Sequence, residues 1–228
     1  MKKMNTTKKV LAAIMLMMMV APANAQDCEH HTFVDLGLPS GTLWSETNLG
    51  ACGKEGTGEI FSWGETVPQT PYHMRSTYKY CTSDDWYTKY CSDSFFGYEG
   101  YFDDLEVLQV SDDAAAANWG SDWCIPTREQ WKELLTNTTK KWSEWYGVKG
   151  CFLTGRNGKS IFLPAAGTYF GEESYNDEQA GYYWSSSLNV NGPDCAYVFY
   201  FDANRAEMSS FPRTNGMSIR PVRASRKK

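Results

Sequence analysis

Residues 121–135 run Ser-Asp-Trp-Cys-Ile-Pro-Thr-Arg-Glu-Gln-Trp-Lys-Glu-Leu-Leu, which joins a short strand directly to a capped helix. Trp123-Cys124-Ile125 is a β-prone apolar run, and Pro126 ends it. Thr127 stands where a helix needs an oxygen to accept a free backbone N–H, and Gln130, three residues on, can reach back to the cap's own N–H. Glu129 sets negative charge against the positive end of that helix. Trp131, Leu134 and Leu135 then fall at i, i+3 and i+4, so one face is apolar while Arg128, Lys132 and Glu133 take the other. The pattern predicts a helix over 127–137 packed on a core.

The N-terminus carries a different signal. Lys2, Lys3, Lys8 and Lys9 precede the apolar run Val10–Val20, and Ala23-Asn24-Ala25 has the small-x-small form of a signal-peptidase site. Residues 1–25 therefore read as a signal peptide and 26–32 as a short leader. The apolar run is about half the roughly 20 residues that a membrane span needs, so no retained span is expected. Residues 25–27 before Cys28 lack a lipoprotein signal, so an exported chain, secreted or at the cell surface, is expected.

Cleavage removes four lysines and no acidic residue, which takes the formal charge from −5 to −9 over 203 residues. Nucleic-acid binding needs clustered Lys and Arg. Only Arg220, Arg223, Arg226, Lys227 and Lys228 come near that, and they read as a solvated end with 224–228 a basic tail. The rest, 33–223, is long enough for one domain with one substantial core, and no Pro- or Ser-rich linker divides it.

Along that domain, Phe33–Leu36 and Thr42–Asn48 read as strands about a Pro-Ser-Gly turn, and Glu59–Trp63 as a third strand. Residues 65–110 have no steady period but many aromatics, and read as a long ordered loop. Ser111-Asp112-Asp113 offers caps for a short helix at Ala114–Ala117 that Gly120 ends. Cys151–Thr154 and Ser160–Leu163 flank Gly155-Arg156-Asn157-Gly158, a hairpin signal, and Tyr182–Ser187, Tyr197–Asp202 and Met217–Val222 read as further strands. Hairpin, two helices, then strands is an α+β layout.

All seven cysteines lie in the exported part, and an odd count leaves one over, or free to pair with another chain. Cys81–Cys91 is expected as a local staple and Cys124–Cys151 as a bridge across strands flanking the second helix. Their spacing suits no zinc site. Three histidines, His30, His31 and His73, supply no triad, and Ser185-Ser186-Ser187 reads as an exposed-edge strand or turn.

Seven ordered blocks carry a resemblance. They are Val34 to Trp44 (Val-Asp-Leu-Gly-Leu-Pro-Ser-Gly-Thr-Leu-Trp), Phe61-Ser62-Trp63-Gly64-Glu65, Asp112-Asp113-Ala114-Ala115, the Trp123–Leu134 cassette, Asn157 to Gly167, Tyr183 to Ser187 and Gly216 to Val222. Together these resemble the Fibrobacter succinogenes major paralogous domain, a secreted and cell-surface family common in Bacteroidetes, over nearly the whole mature chain. The family is similar to formylglycine-generating-enzyme-like and Lcl C-terminal domains. The resemblance implies a C-type-lectin-like fold, with N- and C-terminal strands paired, two helices flanking small antiparallel sheets, and long loops forming the binding face. Cys124 stands where relatives carry Arg, which supports a disulfide there.

The resemblance implies a non-catalytic, lectin-like or adhesin-like recognition module that binds a glycan or a surface protein. The candidate ligand-binding residues are Asn189, Asn191, Asp194, Tyr200, Asp202, Asn204, Arg205 and Arg213 near the last strands, with Trp86 and Tyr87 as the other wall or as core cover. Sugar rings and protein partners both favour aromatic faces beside polar groups. Some similar domains are diversified by retroelements in this region, and the Asn- and Tyr-rich segment 189–204 is compatible with that.

No cofactor is expected. Lectins of this fold often use Ca²⁺, and Gly192-Pro193-Asp194 only partly echoes their loop; Asp103, Asp104, Glu106, Asp112 and Asp113 are oxygen ligands in principle but read as loop and cap carboxylates. The alternative functions are a structural or accessory subunit of a surface assembly and, less favoured, a formylglycine-generating-type oxidase. That oxidase uses a late cysteine pair, and only Cys195 follows Cys151.

Overall fold

A computed structural model describes residues 31–68 and 74–223. The expected signal peptide, most of the short leader, and the basic tail lie outside the described residues. The fold is α+β: two helices and small antiparallel sheets.

The chain's two ends meet in one sheet. β1 (Phe33–Asp35) pairs with β2 (Leu43–Ser45), which pairs in turn with β11 (Val222–Arg223), so Val34, Trp44 and Val222 lie side by side. Cys124 extends that sheet by exchanging backbone hydrogen bonds with Val222, which fixes the junction cassette against the C-terminus. The helix that follows, α2 (Arg128–Asn137), starts at the expected capping box: Gln130 N–H donates to Thr127 Oγ1 and Thr127 N–H donates to Gln130 Oε1. The shorter α1 (Ala114–Trp119) is capped by Asp113, whose carboxylate accepts from the N–H groups of Ala115 and Ala116.

A hairpin sheet follows α2 at once. β3 (Thr138–Trp145), β4 (Val148–Gly155) and β5 (Ser160–Pro164) are antiparallel, and β6 (Thr168–Phe170) and β7 (Glu173–Tyr175) form a small ribbon. β8 (Ala180–Leu188), β9 (Cys195–Asp202) and β10 (Ala206–Pro212) make the central sheet, ordered β10-β9-β8.

Both faces of that central sheet are buried. Tyr182, Trp184 and Val198 point into a core built with the long loop, whereas Tyr183, Phe199 and Phe201 point into a second core built with α2 and β4. The split follows the two-residue period of a strand. With both faces covered, β8 is buried along almost its whole length. Ser185 and Ser186 are therefore buried, which corrects the exposed-edge reading of the serine run. The edge of β8 is covered: Ser186 N–H donates to Pro126 O, and Ser186 O accepts from Leu108 N–H.

The long loop is ordered by its tyrosines. Tyr78, Tyr80, Tyr87 and Tyr90 are buried, and their hydroxyls reach Trp63 O, Gly64 O, Asp194 O and Asp112 Oδ2 respectively. Asp112 is the electrostatic anchor of the loop. Burial alone would raise its pKa, but hydrogen bonds from Lys89, Tyr90 and Lys79 outweigh that and hold it well below the carboxylate range. A depressed carboxylate contributes stability that is present above its unfolded pKa of about 4 and is lost as the pH falls below it. The advantage of wild type over Asp112→Asn is accordingly expected to shrink between pH 5 and pH 2.5, read as a converging urea midpoint. Asp113 shifts the other way through burial but is common to both proteins, so it drops out of the comparison. A constant gap would show that the anchor is not ionic.

Several expectations are corrected. Glu59–Trp63 and Met217–Val222 are not full strands; they meet through the single bridge Phe61–Met217 before β11 begins. Cys81, Cys91, Cys124, Cys151 and Cys195 are free thiols, so neither expected disulfide forms. Cys124 sits on the β11 side while Cys151 faces Trp142 and Leu163 within the β3–β5 sheet, and the Cys91 Sγ is turned to the Asp93 carbonyl. Arg220 is wholly buried rather than part of a solvated basic end.

Candidate functional site

A cleft of about 480 Å³ opens where the long loop meets the ends of the central sheet. One wall comes from the 3₁₀ turn Arg75–Thr77 and from the tight turn 82–86. That second turn closes through Thr82 N–H to Trp86 O, Asp85 N–H to Thr82 O and Trp86 N–H to Thr82 Oγ1. Asp85 takes φ of +65° there, a left-handed conformation that Asp tolerates better than most side chains. A second wall is Asp194 before β9 with Pro212 at the end of β10 and Thr214 after it, and Phe170 at the end of β6 completes the lining. Phe170 is 56% exposed and Met74 beside it 41%, so the cleft presents uncovered apolar surface.

Tyr87 ties these walls together. Its hydroxyl accepts from Arg75 Nη2 at 3.3 Å and lies 3.4 Å from the Asp194 carbonyl, to which it donates. Behind it, Arg213 is fully buried with its guanidinium 3.9 Å from the Tyr87 ring centroid, close to Trp63 and Tyr78 as well. Cation–π contact with desolvated rings is worth about 2 kcal/mol or more, which helps to hold a charge away from water. Arg213 Nη1 donates to the carbonyls of Lys89 and Tyr90, and its backbone N–H donates to Asp194 O. Its Nε and Nη2 have no hydrogen-bond partner. Arg213 therefore joins the long loop to the segments that flank β9 and β10.

The structure divides the expected site residues into two groups. Tyr87 and Asp194 line the cleft and Arg213 lies beneath it. Trp86 sits half-exposed on the adjoining turn, and Asn189 and Asn191 occupy the neighbouring β8–β9 loop, where Asn189 bonds Ser210 Oγ and the Asn191 N–H. Tyr200, Asp202, Asn204 and Arg205 lie elsewhere, at the β9–β10 turn. The eight residues of β9 at about 3.3 Å each put that turn roughly 23 Å from Asp194.

At that distant turn the polar groups satisfy one another. The Tyr200 hydroxyl donates to Asp202 Oδ2 at 2.6 Å, the N–H groups of Asn204 and Arg205 reach Oδ1, and the Arg205 guanidinium pairs with Asp202 and Glu207. The Tyr200 bond, with those N–H groups, brings Asp202 down to about 2. Met74, Arg75, Ser76, Asp85, Phe170 and Thr214 were not expected from the sequence. The available signal was thin: an isolated arginine in an aromatic loop, and an aromatic pair between Gly167 and Gly171.

Three of the five acidic residues considered as calcium ligands are engaged internally. Asp103 accepts from the N–H groups of Tyr90, Cys91 and Leu105, Asp112 holds two lysines, and Asp113 caps α1 and accepts from Ile125 N–H. Asp104 and Glu106 are exposed. Among the described residues, no group of three or more His, Cys, Asp or Glu is placed to hold a metal ion. No described helix is long and apolar enough to cross a membrane.

A family described as a domain of unknown function (DUF8237) matches residues 148–222, about a third of the chain, from β4 to β11. That span includes Phe170, Asp194, Arg213 and Arg220 but not the long loop. No curated protein and no solved structure matches the chain.

Proposed function

We propose that this chain is an exported, non-catalytic recognition module of C-type-lectin-like fold, similar to the major paralogous domain family, which binds a glycan or surface protein in the cleft between its long loop and its last strands. The observation that carries the reading is a preformed cleft whose lining combines exposed Phe170 and Met74 with Arg75, Asp85 and Asp194. Such a mixture of apolar surface and few polar groups is typical of small-ligand sites, which run from about 300 to 1,000 Å³. Paired terminal strands, two helices and long loops support the lectin-like assignment.

The non-catalytic part rests on chemistry. Burial pushes the Cys151 and Cys195 thiols up to about 11 and raises those of Cys81 and Cys91, so each of these four is a poor nucleophile at neutral pH. His31 is stacked on Trp119 at 3.8 Å. A structural or accessory subunit is the second reading, favoured by the exposed Phe95, Tyr98, Tyr101 and Phe102 on the long loop.

A glycan array run beside a pull-down from envelope extract tests the proposal. Phe170→Ala is expected to weaken capture of the bound species at least tenfold without changing the melting temperature, since Phe170 is exposed and removes no core contact. Capture that persists in Phe170→Ala and disappears when Phe95 and Phe102 are replaced by Ser would favour the accessory-subunit reading.

A further inference from the structure

The charges around the cleft bear on the class of ligand. Two carboxylates line it, Asp85 and Asp194, against one guanidinium, Arg75, which is already bonded to Tyr87. The second nearby cation, Arg213, is wholly buried behind the Tyr87 ring and cannot touch a ligand. Its field still crosses a low-dielectric wall of Tyr87, Trp63 and Tyr78, so it offsets one carboxylate at a distance. The neighbourhood is thus balanced in charge, two against two, whereas the surface that a ligand contacts carries more acid than base.

We infer that the cleft takes a neutral, hydroxyl-rich sugar and disfavours acidic ones; this rests on the recognition reading above. The apolar face of a sugar ring suits Phe170 and Met74. Its hydroxyls are donors and acceptors at once, so neighbouring hydroxyls can donate to the carboxylates of Asp85 and Asp194 while accepting from Arg75. Ser76 and Thr214 add short hydroxyls that serve in either sense. A uronate, sialate or sulfate would bring its own charge against two carboxylates, and like-charge juxtaposition inside a contact is strongly unfavourable. The one guanidinium that could compensate would have to leave Tyr87, and the walls that Tyr87 joins would loosen.

The test is titration of the full chain with a panel of neutral hexose oligosaccharides and a matched panel carrying uronic acid, sialic acid or sulfate. Neutral members are expected to bind, with at least a tenfold loss in Phe170→Ala. Asp85→Asn/Asp194→Asn is expected to weaken neutral binding and narrow the preference against acidic members, and a near-ultraviolet spectrum matching wild type would confirm that the double variant is folded. Acidic sugars binding more tightly than neutral ones, with the same loss in Phe170→Ala, would overturn the ligand class and leave the recognition cleft standing. Binding of neither panel would overturn the ligand class and leave only a protein ligand for the cleft, whereas binding unaffected by Phe170→Ala would overturn the cleft as the recognition site.

Discussion

Arg220→Ala is expected to destabilise the protein by about 3–5 kcal/mol, measured as a fall in the urea midpoint, because it strips the partner from three buried acceptors at once. The guanidinium is wholly buried and donates from Nε to Asn48 Oδ1 at 2.8 Å, from Nη1 to Ser45 O at 3.1 Å and from Nη2 to Phe162 O at 2.7 Å. Those acceptors belong to β2, the loop that follows it, and β5. One side chain therefore stitches the terminal sheet to the hairpin sheet. Burial pushes its pKa down to about 10, which still leaves it charged at neutral pH. Against a total stability of about 5–15 kcal/mol for a typical domain, the loss is a fifth or more. Arg220→Lys is expected to recover less than half of it, because a single ammonium cannot span three diverging acceptors as a planar fork does. Full rescue by Lys would show that charge, not fork geometry, is what the site needs.

Trp131→Ala is expected to cost a similar amount, about 3–5 kcal/mol, by opening a cavity in the second core. The indole lies parallel to Phe199 at 4.6 Å and against Trp44 at the same distance, and its Nε1–H donates to Trp184 O. It thus connects α2, the terminal sheet and the central sheet. Trp131→Phe keeps a ring in the stack and gives up that hydrogen bond, so about 1–2 kcal/mol is expected. The second core lies on the face of the central sheet away from the long loop. Trp131→Phe should consequently leave ligand affinity unchanged, and a coupled loss of affinity would mean that the two faces are not independent.

The sequence was most legible where local chemistry decides the conformation. The Thr127 cap, the Gln130 return bond, the Asp113 cap and the turn at 155–158 all form as their residues dictate. β3 was hidden because an edge strand rich in Lys and Thr shows little alternation, and it follows α2 without a break. The cysteines misled because spacing says nothing about which sheet each one joins.

The site was half legible. Both turns of the last strands are rich in Asn, Asp and Arg, and nothing local reveals that β9 holds them at opposite ends of the central sheet. Arg213 and Arg220 read as surface residues because Arg is seldom fully buried unless paired. Here aromatic faces and backbone carbonyls take the place of a counter-ion, and those come from segments more than 50 residues away in sequence. The apolar surface at Phe170 could not be told from any exposed loop aromatic until the fold brought it into one cleft with Asp194.

Backbone hydrogen exchange of the full chain, with and without a bound neutral oligosaccharide from the array, tests the location of the site most directly. Slowed exchange is expected at 74–87 and at Asp194 and Thr214, which carry the cleft's lining residues, with no change at the Asp202–Arg205 turn. Protection confined to the Asp202–Arg205 turn, with the cleft walls unchanged, would contradict the assignment.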